Sequence, residues 1–380
     1  MRQRTHRLSN SVRVRRERAG LAQQALAARI GVSRQTLTAI ESGRTVPGTI
    51  LALRLASALQ CPVEDLFHLP SGGEPETTVT ARLAGAPAGP GPVRVRLSMG
   101  RGRAVAVPLA GSLASFAALP EADGVVCGGR RSTVRVRLLA TRERLADTVV
   151  VAGCDPALPI VAAHLRRATP GYGLTWLPSG SLQALRWLRE GAAHVAGLHL
   201  RDPRTGQENV PLVRRLLGGR RVVVVGFATW EQGLIVAAGN PRGIHGVVDL
   251  LRPGLTMINR EEGSGARALL DAALAAGGVS TSRIRGYRRV AYSHLAAAQA
   301  VALGLVDAAV GVRAAAQAFG LGFVPLQRER YDLVVPAACL NRPPVQAFLH
   351  SCQSAAVRSE LEAIGEYDMS QFGVTRATVP

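Results

Sequence analysis

From Thr148 onward the sequence alternates apolar, β-branched runs with alanine-rich helical stretches: TVVVAG then PALPIVAAHLRRA, GLTWLPSG then SLQALRWLREG, HVAGLHL, RRVVVVGF, GLTMINR then GSGARALLDAAL, and DAAVGV then RAAAQAFG. Near-continuous apolar strands are buried on both faces, and strand and helix in turn are the pattern of parallel α/β sheets. In open sheets of that kind, ligands sit beyond the carboxyl ends of the strands. Three strand ends here run into helices through small polar turns: Gly153, Cys154, Asp155 and Pro156; Ser179, Gly180 and Ser181; and 259–267. A helix starting at such a turn aims unpaired N–H groups and the positive end of its dipole at one spot, which suits an anion. Taken alone, the turn at 263–265 reads first as a simple helix cap and second as an anion site.

Two other textures precede this region. Residues 1–69 carry short helical patterns, and LPSGGEPETT supplies the Pro, Gly and Ser of a linker at 70–78. Residues 79–147 alternate apolar and polar side chains, as in VRVRL and TVRVRLL, between clusters such as GAPAGPGP, which predicts a small β-rich module. A 380-residue chain that is 47% hydrophobic can bury a core in each. The net charge of +20 comes from arginine alone, so it points to a polyanionic partner only where it is concentrated, as in residues 1–70.

Five scattered cysteines without CxxC or Cys/His ligand spacing argue against a disulfide framework and against a zinc site, so no metal and no cofactor is expected. No apolar run approaches the roughly 20 residues of a membrane span, and the basic N-terminus is not followed by an apolar stretch. A cytoplasmic protein without a membrane partner is the expectation.

In LAQQALAARIGVSRQTLTAIESGRTVP, Leu26, Ala27, Ile30, Val32, Leu37 and Ile40 fit two short helices joined by a tight turn at Gly31. This stretch, with the closing ALQCPVEDLF, resembles the Cro/CI-type (XRE) helix-turn-helix family over about residues 8–67. The resemblance implies that Ser33 caps a recognition helix whose Arg34, Gln35, Thr36 and Ala39 face the major groove. It also implies phosphate contacts from Gln23, Ser42 and Arg44. The arginines Arg13, Arg15 and Arg16 fit either phosphate attraction or an ordinary solvated face.

From about Thr148 to the end, the motifs GS followed by LQALRWLREGAAHVAGLHLRDPRTGQEN, then QGLIVAAGNPRGI, INREEGSGARALLD, SHLAAAQAVALGLVDAAVGV and FVPLQRERYDLVVP resemble the periplasmic-binding-protein-like domains of molybdate and tungstate type, often fused behind a helix-turn-helix. The implied fold is a multidomain chain: an all-α helix-turn-helix domain, the β-rich middle module, and a two-lobed (type II) α/β domain at 148–380. Its lobes fall at about 148–235 plus 330–380 and at about 238–328, closing on ligand like a clamshell. The implied cleft residues are Ser179 and Ser181 from the first lobe and Asn259, Arg260, Ser264, Gly265 and Arg267 from the second. His199, His294 and Tyr331 sit at strand ends, a helix start and a crossing. Each histidine reads equally as a structural residue, whereas Arg267 reads first as a ligand residue and second as a surface partner of Glu262. Ala266 departs from the family, which more often has Thr there, and so removes a hydroxyl from the expected ligand set.

The resulting expectation is a ligand-responsive transcriptional regulator, a homodimer on operator DNA, whose cleft senses a small molecule or oxyanion, molybdate or tungstate by preference. Two other readings compete. One is an enzyme acting on a phosphorylated or carboxylated molecule and tethered to DNA, against which stand the absence of a GxSxG elbow, a complete P-loop or a paired Cys/His nucleophile arrangement. The other is a DNA-binding module with a ligand-free assembly domain.

Overall fold

The computed structural model describes residues 9–68, 78–85, 93–100, 103–109, 121–130, 133–202, 204–364 and 367–380. The expected linker at 70–78 lies outside the described residues apart from Thr78. The chain divides into two units, Met1–Thr77 and Thr78–Pro380.

The first unit runs β1 (Ser9–Asn10), α1 (Val12–Arg18), α2 (Gln23–Ile30), α3 (Arg34–Glu41), α4 (Thr49–Ala58), α5 (Val63–Leu66) and β2 (Phe67–His68), with β1 antiparallel to β2. Leu26, Ile30, Leu37, Ile40 and Leu55 close its core. Gly31 ends α2 at φ +75°, and α3 starts two residues on at its N-cap Ser33, whose hydroxyl accepts the Thr36 N–H at 3.1 Å. A left-handed glycine followed at once by an N-cap is what allows so tight a turn between two helices.

The second unit opens with β3 (Thr78–Leu83), β4 (Arg94–Gly100), β5 (Arg103–Pro108), β6 (Gly124–Arg130) and β7 (Thr133–Leu138), a closed barrel of order β3-β5-β4-β6-β7. Alternation sets its faces: Val134 and Val136 point inward while Arg135 and Arg137 are exposed. On β5 both faces are buried. Ala104 and Ala106 fill the barrel, whereas Val105 and Val107 join Leu185 and Leu188 in a core of the neighbouring α/β region. The β-rich module is thus packed on that region through a shared core.

After α6 (Arg142–Ala146) come β8 (Thr148–Gly153), α7 (Leu158–Ala168), β9 (Gly173–Pro178), α8 (Ser181–Glu190), β10 (Val195–Leu198), α9 (Val210–Leu217) and the long β11 (Val222–Val236). A second group follows: β12 (Met257–Arg260), α10 (Gly265–Ala276), β13 (Val290–Ala291), α11 (His294–Ala302), β14 (Ala308–Val312), α12 (Arg313–Ala318) and β15 (Gly322–Pro336). The chain returns through α13 (Ala337–Leu340), α14 (Pro343–Gln353) and α15 (Ala355–Ile364) to β16 (Thr375–Val379).

These strands form one sheet of order β13-β12-β14-β11-β15-β10-β8-β9, with β16 also on β11. Pairing is parallel within each lobe, β8 with β9 and β10, β12 with β13 and β14. The crossing strands β11 and β15 are antiparallel to each other along their whole length. Near its start β11 pairs with β16; from Gln232 to Val236 it pairs with β14. The division between lobes therefore falls inside the two crossing strands, earlier along β11 than the sequence boundary at 235.

Candidate functional site: an interlobe cleft and a DNA-reading helix

The strand ends expected to carry ligand chemistry do converge. Beyond β8 lie Cys154 and Asp155, beyond β10 lies His199, and α11 opens with His294. The crossing strands contribute Trp230 and Glu329, which are cross-strand partners, with Gln232 and Tyr331 close by. All are buried. The His199 ring lies 5.3 Å from Trp230, 6.0 Å from His294 and 6.0 Å from Tyr331 between centroids, and Trp230 lies 4.8 Å from Tyr331.

His199 is held from both sides. Its Nε2 is 3.1 Å from Cys154 Sγ and its Nδ1 is 2.9 Å from Glu329 Oε2, while its backbone N–H donates to Ser181 Oγ at 3.2 Å. Burial alone would lower the His199 pKa; the adjacent Cys154 and Glu329 outweigh burial and raise it to about 10, so the ring is protonated at neutral pH. His294 goes the other way, driven well below its usual value by burial and then by Arg260 and His199. Burial lifts Asp155 to about 6, against hydrogen bonds from the Ala157 N–H and the Tyr367 hydroxyl. The thiol–imidazole–carboxylate line corrects the expectation that the chain holds no paired Cys/His arrangement. It spans 45 and 130 residues of sequence and is invisible to local spacing.

A second feature marks the cleft. Among the described residues, the buried side-chain polar atoms without a hydrogen-bond partner are, apart from Ser351 Oγ and Arg376 Nε, Asp155 Oδ2, Trp230 Nε1, Gln232 Oε1, Asn259 Nδ2, Arg260 Nη1, both ring nitrogens of His294 and the Tyr331 hydroxyl. Native interiors leave few such atoms, and each calls for an explanation. Arg260 is anchored by Glu261, at 2.8 Å from Nε, and by the Ala291 carbonyl at 3.0 Å.

The turn at 263–265 does something other than present bare N–H groups. Ser264 caps α10: its hydroxyl donates to the Glu261 carbonyl at 2.8 Å and accepts the Arg267 N–H at 3.3 Å. The turn also touches the opposite lobe, where the Leu182 N–H donates to the Gly263 carbonyl at 3.2 Å. Gly265 lies so close to His199 that a Cβ there would stand 2.0 Å from the His199 carbonyl oxygen and 2.4 Å from its ring. The lobes are therefore closed on each other, and glycine is needed at 265 for them to meet. Ser179 is buried beside this contact, and Ser181 has its hydroxyl occupied by His199.

Of the expected cleft residues, His199, His294 and Tyr331 come together, with Asn259 and Arg260 at the end of β12 offering unpartnered nitrogens. Arg267 does not join them. Its guanidinium stacks over Tyr287 at 4.8 Å and reaches the Arg260 carbonyl and Asp271, and Glu262 is not the partner. Ala266 is fully buried in the core of the second lobe with Leu270 and Leu274, so its missing hydroxyl takes nothing from the cleft. Cys154, Trp230, Gln232 and Glu329 were missed by sequence reasoning. Only Cys154 had a signal, its place in a strand-end turn.

In the first unit, Arg34 and Gln35 are exposed at the start of α3, Thr36 and Ala39 are half-buried, and Ser42 and Arg44 are exposed beyond its end. Arg44 Nε donates to Ser42 Oγ at 3.0 Å. Gln23 donates to Glu41 at 2.9 Å, tying α2 to α3. Arg16 is buried against the same Glu41 at 2.6 Å, so of the α1 arginines it serves the fold and is not a phosphate contact.

Residues 162–353 match the PBP superfamily domain, and residues 12–66 match the helix-turn-helix family. The chain belongs to the PBP superfamily. Its PBP domain follows an N-terminal helix-turn-helix domain in the same chain. An uncharacterised Bacillus subtilis protein, YvgK, is 39% identical over 225 residues, covering 59% of this chain and 72% of that protein. An uncharacterised HTH-type transcriptional regulator of Methanothermobacter thermautotrophicus is 48% identical over 63 residues, 16% of this chain and 91% of that protein. Among solved structures, a phosphate ABC transporter substrate-binding protein from Clostridium perfringens aligns over 58% of this chain and 99% of that one, at 12% identity and a TM-score of 0.45. Among the described residues no helix is long and apolar enough to cross a membrane.

Proposed function

We propose that this helix-turn-helix transcriptional regulator, with its PBP-like ligand-binding domain, senses a small anion in the interlobe cleft, and that occupancy of the cleft sets its affinity for operator DNA. The observation that carries this reading is the set of buried, unpartnered donors: Trp230 Nε1, Asn259 Nδ2, Arg260 Nη1 and the Tyr331 hydroxyl. Leaving one such group unpaired costs about 1–3 kcal/mol, so a ligand rich in acceptor oxygens is the natural partner. Such donors bind an oxyanion without a lysine, and the resemblance noted above makes molybdate or tungstate the preferred one. The ligand acts by favouring one lobe arrangement, which requires differential affinity for the two states.

The protein acts on DNA in the cytoplasm as a homodimer, the arrangement that matches two half-sites about one helical turn apart. Val46, Ile50 and Leu53, exposed at 66%, 71% and 57% on and before α4, supply an apolar face for a second copy. A thermal-shift screen of molybdate, tungstate, sulfate, phosphate and common metabolites tests the ligand class. One oxyanion at about 100 times its Kd stabilises the fold by about 2.7 kcal/mol; no shift with any anion leaves the domain as an assembly module.

The Cys154–His199–Glu329 line favours a second reading, a cysteine nucleophile paired with a histidine that a carboxylate orients. It is distinguished by turnover: acyl or phosphoryl esters consumed by the purified protein, and not by Cys154→Ser, would make the chain an enzyme.

A further inference from the structure

The nucleophile reading leaves one residue without a role. His294 is 1% exposed, stands at the first position of α11, and neither of its ring nitrogens has a hydrogen-bond partner. An uncharged imidazole buried with both nitrogens unsatisfied forfeits the pairing that buried polar groups almost always find. A ligand atom of His294 lies within 4.8 Å of Cys154 Sγ and of a His199 ring nitrogen.

We propose that Cys154, His199 and His294 form a binding site for a borderline transition-metal dication of the zinc class, bridging the two lobes. This rests on reading the cleft as the seat of a ligand and names a component of that ligand. Three protein ligands with sulfur and imidazole donors suit Zn(II) or Co(II) in a tetrahedral site that keeps its fourth position open. Metal–sulfur and metal–nitrogen bonds of about 2.3 and 2.0–2.1 Å set Sγ and Nε2 about 3.5 Å apart, so the present 3.1 Å opens by only a few tenths. His199 also shows the outer contact such ligands usually have: with Nε2 on the metal, Nδ1–H points at Glu329 Oε2. Charge closes as well, since a dication, one thiolate and the Glu329 carboxylate sum to zero. A ligating sulfur is a thiolate and a ligating imidazole nitrogen is bare, so whatever protons these two atoms carry leave to solvent on binding. The fourth position would be left for water or for an oxygen of the anion.

Cys154 and His199 come from the first lobe and His294 from the second, so the metal would stabilise the closed form. Sequence reasoning set a metal aside because no two cysteines or histidines have ligand spacing; here the ligands come from the ends of two strands and the start of a helix in different lobes.

The test uses the full chain stripped with a chelator and titrated with Co(II). Expected is one equivalent bound, with a thiolate-to-cobalt charge-transfer band in the near ultraviolet and strong tetrahedral visible bands, all displaced by Zn(II). Cys154→Ser should abolish the charge-transfer band with far-ultraviolet circular dichroism unchanged. His294→Gln and Glu329→Gln should each weaken Co(II) binding by at least tenfold, and they carry the test should Cys154→Ser fail to fold. No charge-transfer band in the parent protein, a band that persists in Cys154→Ser, or parental affinity in His294→Gln overturns the site. The anion thermal shift is measured in parallel on stripped protein. A shift without a cobalt band removes the metal and leaves the anion reading standing, whereas a cobalt band without any anion shift supports the metal and removes the anion.

Discussion

At the scale of single residues, two arginines of the helix-turn-helix domain should behave differently on DNA. Arg34 is exposed at the start of α3 and Arg44 beyond its end, and the proposed role as an operator-binding regulator gives the first a base edge and the second a phosphate. Arg34→Ala should cost about 1–3 kcal/mol on the operator and relax its sequence preference, while Arg44→Ala should weaken specific and random DNA alike and flatten the salt dependence. Binding isotherms on both DNAs at several salt concentrations check this; equal losses for both variants would remove the base-reading assignment. A third residue concerns stability. His194 takes a hydrogen bond on Nδ1 from the Val150 N–H at 2.9 Å, and Arg342 lies 2.8 Å from its Nε2. Burial, then the Arg342 charge, depress its pKa from 6.5 to about 4. A depressed folded pKa means support for the fold that is present above the unfolded value and lost as the pH falls through the folded one. His194 should therefore contribute about 3 kcal/mol above pH 6.5 that drains away toward pH 4. Urea unfolding between pH 7 and 4 should show a steeper acid loss in the parent than in His194→Asn; parallel curves would contradict it.

At the scale of elements, the contact between the α10 turn and the opposite lobe is the part of the closure most open to a clean test. Gly265→Ala inserts a methyl group 2.0 Å from the His199 carbonyl oxygen, backbone that has no rotamer to move aside. The second lobe keeps its core, so circular dichroism should be unchanged, while affinity for the cleft ligand falls by at least about tenfold because the lobes cannot meet. Parental affinity in calorimetry would mean that closure is not needed. The elements also show what was legible in the sequence. The two helices around Gly31, the N-cap at Ser33 and the alternation of Val134 and Val136 with Arg135 and Arg137 are local patterns, each set by neighbours within a few residues. The strand-end turns were legible as places, since topology puts them at one edge of a sheet. Their chemistry was not. Trp230, Gln232 and Glu329 lie in the middle of crossing strands, where nothing local separates a cleft residue from a core one, and Cys154 meets His199 only once β8 and β10 are paired. Arg267 misled for a related reason: a cation one turn into α10 looks like a ligand group until Tyr287 and Asp271 are brought beside it.

At the scale of the whole molecule, a DNA-reading domain and a two-lobed binding domain make one regulator only if the cleft and the operator are energetically linked. Linkage is reciprocal, and a coupling of 1–3 kcal/mol corresponds to roughly 5–150-fold in DNA affinity. Nothing in either domain alone reports it. The most direct measurement is the affinity of the full chain for an operator selected from random DNA, with and without the anion that gives the largest thermal shift, in the parent protein and in Gly265→Ala. The predicted result is a change of at least about fivefold in the parent and none in the variant. An operator affinity that is the same with and without an anion shown to bind the parent would contradict the sensing role of the cleft.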